Sequence, residues 1–354
     1  MPGCLWRGLL SVNALLLFVP ASAAFYYLHL NNTLVFATSV LAILALTHLL
    51  ASSTALIASQ TSNTMSALLN ATFGNAVELF IAIFALQRGL VDLVKASIIG
   101  SIIINVLLLI GLAMVFGGLK FKEQRFNRDA AGLASTMLII VVVGLALPSL
   151  YNMIEDRPAE AMSVTVSVIL GAIYVLSLVY MLVTHRHLFI VERPLSGFRE
   201  FRGSTQAAIV ILFGSTLLVG FESYMLVGTI EPLIRQSGLT ETFIGLVFIA
   251  LLANIPEHLS AISFARRDNI TLSLEIGMNS ATQIALFVVP VLVLVSHAFM
   301  GHPFNLVFTP FELTAVVITA IIANALSPDG ICHWLEGAQL VAIYLIIATA
   351  FYFV

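Results

Sequence analysis

Stretches of about twenty apolar residues follow one another along almost the whole chain, separated by short polar or glycine- and proline-containing segments. A helix of about that length crosses the roughly 30 Å hydrocarbon core of a bilayer. Apolar residues make up 60% of the 354 residues and charged residues only 9%, against about 25% charged in soluble domains. The pattern therefore predicts an all-α, polytopic membrane protein, and a net charge of −3 offers no basic surface for nucleic acid.

Eleven transmembrane helices are predicted from these stretches. The first is ambiguous, because Arg7, the apolar segment after it and the small residues at 21–23 also fit a signal peptide cleaved near residue 24. We favour a retained helix, since the rest of the chain is itself predicted to be integral to the membrane. The predicted spans are residues 8–28, 34–58, 65–87, 95–116, 130–150, 161–184, 206–228, 242–265, 270–297, 310–328 and 334–353.

The distribution of lysine and arginine tests this number of spans, because cytoplasmic loops carry an excess of both. With a cytoplasmic N-terminus, the inside loops hold eleven of the fifteen basic residues and the outside loops hold four. The longest loop, about residues 185–205, is basic and too short for a soluble domain. We therefore expect a multi-pass protein with its N-terminus in the cytoplasm, and the short tails favour a prokaryotic plasma membrane.

Two polar motifs inside apolar spans are separated by half the length of the chain. In each motif an asparagine and a glutamate stand three residues apart, and a serine follows in the next span. All three residues recur at one offset of 179 residues, which indicates an internal duplication. The equivalent pairs are Asn75 and Asn254, Glu78 and Glu257, and Ser101 and Ser280.

The duplication divides the eleven spans into one extra helix and two halves of five. An odd number of spans inserts the two halves in opposite orientations, and such inverted repeats are typical of secondary transporters. We therefore predict an N-terminal transmembrane helix (residues 1–32), a first five-helix repeat (33–184, spans 2–6), a cytoplasmic connecting loop (185–205) and a second five-helix repeat (206–354, spans 7–11).

The paired glutamates are the candidate ion site. A carboxylate at the centre of a bilayer costs at least about 2.5 kcal/mol, so two of them at equivalent repeat positions call for a function. Glu78 and Glu257 together balance one divalent cation or two protons. Oxygen-bearing side chains nearby suit a hard cation such as Ca²⁺ rather than zinc, which prefers cysteine and histidine. The supporting shell is predicted to contain Thr72, Asn75, Ser101, Asn254, Ser280 and Gln283.

For the other polar residues in the spans, the sequence leaves both a functional and a structural role open. His258 follows Glu257 and is expected to form a hydrogen bond or to gate the site rather than to bind a hard cation. Glu222, Glu231 and Glu275 are candidates for an ion pathway, with a solvated position as the alternative for Glu231 and Glu275. Interhelical hydrogen bonding is the alternative for the asparagines, and small-residue packing is the alternative for the serines.

The motifs resemble those of the cation/proton exchangers, a branch of the calcium/cation antiporter superfamily. The resemblance rests on residues 70–78 (NATFGNAVE), on Gly100-Ser101 with Asn105, and on residues 280–287 (SATQIALF). Segments 222–232 and 329–337 resemble further parts of the family, so the similarity extends from about residue 50 to the C-terminus.

This resemblance implies eleven spans and the export or sequestration of Ca²⁺ in exchange for protons, by alternating access. It also implies that Glu78, Glu257, Asn75, Asn254 and His258 are the signature residues of the family. The chain departs from the family pattern in three places. Ala55 and Leu56 replace a common pair of glutamates, Ile255-Pro256 replaces two alanines, and the basic residues 185–205 have no counterpart of the acidic helix between the halves. Cation selectivity is therefore less firmly predicted than the fold.

The expected function is a secondary antiporter, not an enzyme, with Ca²⁺ and protons as substrates and no cofactor. An exchanger coupled to Na⁺ or K⁺, or one that carries Mn²⁺, is the alternative within the superfamily. The chain contains no zinc-protease or nucleophile motif for an intramembrane enzyme. One central carboxylate pair also does not suit a channel, which uses rings of ligands. The partners are the transported ions and the lipid bilayer, and the sequence does not define an oligomeric state.

Overall fold

The structure is a computed structural model that describes residues 14–61, 65, 69, 72–155, 158–185, 204–301, 303–326 and 329–353. Nearly all of these residues are helical. The elements are α1 (Phe18–Tyr27), α2 (Asn32–Gln60), α3 (Ala76–Gln87), α4 (Val91–Gly118), β1 (Gln124–Arg125), α5 (Arg128–Glu155), α6 (Glu160–Thr184), α7 (Thr205–Ser237), α8 (Glu241–Ala265), α9 (Ile270–Phe299), α10 (Pro310–Leu326), β2 (Ile331–Cys332) and α11 (Trp334–Phe353).

Eight of the described helices are long and apolar enough to cross a membrane, and α3 and α10 are shorter apolar helices. Most of their bounds follow the predicted spans, and the prediction of an all-α, polytopic membrane fold is confirmed. Helix α3 begins at Ala76, whereas its span was predicted from residue 65, because Gly74 and Asn75 form a turn. The total of eleven spans stays a prediction. The ambiguous first span lies partly outside the described residues, since the description begins at residue 14.

The helices form two compact units. One contains α1, α2, α3 and α7, and the other contains α4–α6 and α8–α11. Each compact unit contains helices from both predicted repeats. The helices of one repeat therefore do not pack together as a separate unit. Helices α4 and α9 nevertheless begin at Val91 and Ile270, which are 179 residues apart.

Helix α4 is the centre of the second unit. Of its most apolar 18 residues 83% are buried, against 17% in α6, which leaves α6 to face lipid. Gly245 lets α8 pack directly on α4, because a Cβ atom there would stand 2.5 Å from the Leu93 carbonyl oxygen. Wider π-helical turns interrupt α4, α8 and α9 at Ile104–Leu109, Ile244–Ile249 and Ile284–Val288, and such turns are frequent at functional sites.

Three loops predicted to lie on one side of the membrane contact one another in the second unit. Strand β1 pairs antiparallel with β2. The Gln124 amide nitrogen donates to the Ala265 carbonyl oxygen at 2.9 Å and to Asp268 Oδ1 at 3.1 Å, at the α8–α9 turn. The α4–α5, α8–α9 and α10–α11 loops therefore share one face of this unit, as the predicted order of spans requires.

The extended segment before α10 lies at the other end of α4. Its backbone N–H groups donate to buried serine hydroxyl groups: Leu306 to Ser163 at 3.0 Å and Phe308 to Ser149 at 2.9 Å. Lys95 of α4 donates to the Val307 carbonyl oxygen at 2.6 Å. These bonds satisfy a buried irregular segment that has no helical or strand partners of its own.

Candidate functional site

The second motif lies on α8, within its α-helical part Ala250–Ala265. Asn254, Glu257 and His258 are three and four residues apart and therefore share one face of the helix. Asn254 and His258 are 1% and 5% exposed. The helix continues through Pro256, whose missing N–H leaves the Leu252 carbonyl oxygen without its usual helical donor.

The side-chain amide of Asn254 is held by α4. Asn105 Nδ2 donates to Asn254 Oδ1 at 2.6 Å, and Asn254 Nδ2 donates to Ser101 Oγ at 3.2 Å. Asn254 Nδ2 also donates to the Ala250 carbonyl oxygen at 2.8 Å. All three side chains are buried, so the amide orientation is fixed by partners on two helices.

His258 is bonded to its own helix. Its Nδ1 lies 2.7 Å from the Asn254 carbonyl oxygen, which can only accept, so Nδ1 carries the hydrogen. In the neutral ring Nε2 is then an acceptor, and it is buried without a hydrogen-bond partner among the described residues. The predicted hydrogen-bonding role has a partner in the structure, and the alternative gating role stays a prediction.

Two further oxygen atoms, one on Asn105 and one on Glu257, accept no hydrogen bond in the described residues. Glu257 Oε2 and Asn105 Oδ1 are buried, and neither forms a hydrogen bond within the described part of the chain. A buried oxygen without a donor costs about 1–3 kcal/mol, and such groups call for an ion, a proton or a water molecule. These two oxygens therefore have the chemistry of hard-cation ligands.

The first motif lies at a helix start. Gly74 and Asn75 form a turn that interrupts the helical path, and α3 begins directly after Asn75. Glu78 lies in the first turn of α3, where the exposed N–H groups stabilise a negative charge. Asn75 is buried, Glu78 is partly buried and Thr72 is exposed. Interrupted helices of this kind carry the ion sites of many transporters.

Helix α9 holds the remaining candidates for the supporting shell. Ser280 and Gln283 are partly buried and precede the π-helical turn that begins at Ile284. Ser101, the repeat equivalent of Ser280, is buried and accepts a hydrogen bond from Asn254, whereas Ser280 is partly buried. Glu275 lines a cavity of about 40 Å³ together with Asn127 and Asn279, among apolar side chains of α4, α5 and α10.

The other two pathway candidates lie on α7, in the first unit. Glu222 is fully buried, and Ser22 Oγ donates to its Oε1 at 2.7 Å. Glu231 is exposed and forms an ion pair with Arg235 at 2.6 Å, one turn further along α7. Glu231 thus has the solvated position that was the alternative for it.

Comparison with known families agrees with these motifs. The pattern of the family described as "Sodium/calcium exchanger protein" matches the chain twice, over residues 31–183 and 207–353. The chain belongs to the sodium/calcium exchanger protein family. The two matches of this family lie close to the two predicted repeats.

Named proteins are similar to this chain over nearly their full length. A "Ca(2+)/H(+) antiporter" of Aphanothece halophytica is 38% identical, with 96% of this chain and 95% of the relative covered. A protein of the same name from Synechocystis sp. is 39% identical, with 96% of each chain covered. The solved structure "Structure of native YfkE" is 34% identical, with a TM-score of 0.83 over 97% of this chain and 99% of the other. The chain is therefore an integral, multi-pass membrane protein of the exchanger fold.

Sequence reasoning missed Asn105 as a site residue of this exchanger-family chain. Asn105 is fully buried and is the direct partner of Asn254. The position 179 residues later is Ile284, so the repeat, which identified the other candidates, gave no indication of it. The available signal was its spacing of four residues from Ser101, which places both on one face of α4.

Proposed function

We propose that this chain is a Ca²⁺/H⁺ antiporter that exports cytoplasmic Ca²⁺ in exchange for protons by alternating access. Relatives of this name that are 38% and 39% identical over nearly their whole length support the pair of substrates. The observation that carries the proposal for the site is the pair of buried oxygens without donors, Glu257 Oε2 and Asn105 Oδ1. We place the exchange in a prokaryotic plasma membrane, with the N-terminus in the cytoplasm.

Glu257 binds the cation in one state and a proton in another. As a carboxylate it accepts only, so it is a ligand for Ca²⁺, and as an acid it gains a donor and loses its charge. Asn254 positions the site, since its amide is held by α4, and Ser101 fixes that amide. Glu78, at the equivalent position of the first motif, takes part in the same exchange of cation and protons. Thr72, Asn75, Ser280 and Gln283 supply supporting oxygens, and Glu275 lines an approach for the cation.

The test is Ca²⁺ uptake by purified protein in liposomes with an imposed pH gradient. Glu257→Gln and Glu78→Gln each retain the shape and remove the charge, so each is expected to abolish uptake. Glu231→Gln is the matched control, because Glu231 is exposed and its ion pair in the described residues is with Arg235 on its own helix. Uptake that survives both signature substitutions would refute the assignment.

The alternative is exchange coupled to Na⁺ or K⁺, or transport of Mn²⁺. The same liposomes separate these possibilities, because uptake at a fixed pH that depends on external Na⁺ or K⁺ contradicts proton coupling. Competition by Mn²⁺ at equal concentration measures selectivity between the two divalent ions, both of which accept oxygen ligands.

A further inference from the structure

A third buried carboxyl group lies outside both signature motifs, in the unit of α1, α2, α3 and α7. Glu222 of α7 is 0% exposed, and its Oε1 accepts a hydrogen bond of 2.7 Å from Ser22 of α1. Ser22 is itself 0% exposed and also donates to the Val19 carbonyl oxygen at 2.9 Å. The carboxyl group is therefore shielded from solvent, and a hydroxyl group on a different helix donates the hydrogen bond that water would otherwise supply.

The other oxygen of Glu222 has no donor. Glu222 Oε2 is buried and forms no hydrogen bond of standard geometry within the described residues. The Ser39 hydroxyl of α2 interacts with this carboxyl group, and the Ser223 hydroxyl follows on α7; both are buried and form no such bond either. A carboxylate that keeps its charge normally collects two or more donors, whereas a protonated group needs an acceptor for its hydrogen.

Glu222 also forms no ion pair with a basic side chain in the part of the chain that the structure describes. Arg88, the basic residue at the end of α3, lies over the Tyr224 ring at 5.4 Å from its centre. An isolated buried carboxylate is very costly and normally becomes neutral instead. The ionisable groups on the helices around Glu222 and at their ends are Tyr26, Tyr27, His29, His48, Glu78, Arg88, Tyr224, Glu231 and Arg235.

We propose that Glu222 is a proton-binding site separate from the signature glutamates, and that its proton joins α1 to α2 and α7. In the protonated form Oε1 accepts from Ser22, and the hydrogen on Oε2 is available to the Ser39 hydroxyl oxygen. Release transfers this hydrogen from Oε2 to water as a proton and changes no other covalent bond. Because the remaining charge is buried, the contact between Ser22 and Glu222 must open to water before the proton leaves.

Infrared difference spectroscopy of the purified full-length protein without Ca²⁺ tests this site. A protonated carboxyl group in apolar surroundings gives a C=O stretching band that shifts in D₂O, and a carboxylate does not. We expect such a band at neutral pH in the wild type and the loss of one component of it in Glu222→Gln. In Ser22→Ala, which removes the hydrogen bond, we expect that component to shift in frequency. Glu231→Gln, exposed on the same helix, should leave the band unchanged.

Two outcomes would overturn the proposal. One is a band of undiminished intensity in folded Glu222→Gln, which would mean that Glu222 is ionised. The other is an unchanged band frequency in Ser22→Ala, which also decides the matter if Glu222→Gln does not fold. The measurement needs no transport and no Ca²⁺, so its result is independent of the test of antiport.

Discussion

The bond between Asn105 and Asn254 makes the orientation of one amide depend on a residue outside the repeat pattern. Asn105 Nδ2 donates to Asn254 Oδ1 at 2.6 Å, and both side chains are at most 1% exposed. Asn105→Ala removes the donor and leaves Asn254 Oδ1 buried with no replacement. Asn254 Nδ2 keeps its hydrogen bonds to Ser101 and Ala250, so the orientation of the amide is held less firmly but is not lost.

The size of the effect follows from the lost donor. A buried acceptor left unsatisfied costs about 1–3 kcal/mol. If that cost falls on the ion-bound state, the apparent affinity for Ca²⁺ decreases by roughly 5- to 150-fold. Because the two residues act through one bond, we expect Asn105→Ala and Asn254→Ala to be non-additive in the double variant.

The assay is the initial rate of Ca²⁺ uptake against Ca²⁺ concentration at a fixed pH gradient, with thermal unfolding measured in parallel. Asn105→Ala should increase KM at least about fivefold. Thr319→Ala is the matched control, since Thr319 is buried to a similar extent and, within the described residues, its hydroxyl group donates to the Ala315 carbonyl oxygen of its own helix, at 2.8 Å. A wild-type KM in folded Asn105→Ala would show that this amide orientation does not matter to binding.

Three further predictions concern packing, a helix cap and a buried thiol. Gly245→Ala should lower Tm, since a Cβ atom meets the Leu93 carbonyl oxygen at 2.5 Å and overpacking costs about 1–3 kcal/mol, whereas Gly214→Ala, with nothing within 4 Å, should not. Glu312→Ala should cost about 0.5–2 kcal/mol, because Glu312 Oε2 accepts from the Thr309 N–H at 2.8 Å in a capping box, and Glu312→Gln should restore much of it. Burial in β2 raises the pKa of the Cys332 thiol from about 9 to about 12, with the Glu336 charge as a lesser cause. The unfolded chain loses this proton first, so stability should fall as the pH rises from about 9 towards 12, and Cys332→Ala should reduce that fall in thermal unfolding.

Most of the fold could be predicted because a bilayer imposes one simple requirement on sequence. Within the described residues the apolar stretches of sufficient length are helical, and α4, predicted at 95–116, spans Val91–Gly118. The predicted end of α7 was wrong: the span was predicted to end at residue 228, but the helix continues to Ser237. The polar turn beyond the apolar stretch is stabilised by the ion pair of Glu231 and Arg235 and ends at Gly238, whose φ is +71°.

The two short strands and the site network could not be predicted in the same way. Strands β1 and β2 have two residues each, too few for an alternating pattern to be visible. The repeat indicated which polar residues are equivalent, but it carries no information on pairs formed between positions that are not equivalent. Asn105 and Asn254 form such a pair, which only the packing of α4 against α8 reveals.

The two motifs are alike in sequence but are built on different backbones. Asn75 precedes a helix start after a turn, whereas Asn254 lies inside a continuous helix and is held by Asn105 and Ser101. Asn254 donates both of its amide hydrogens, and its oxygen accepts from Asn105. We therefore expect a change of ion or proton on α8 to occur at Glu257 or His258. Both have a buried lone pair without a donor in the described residues. On this expectation the second motif combines a fixed amide, which sets the geometry, with two neighbouring groups whose bonding changes during exchange.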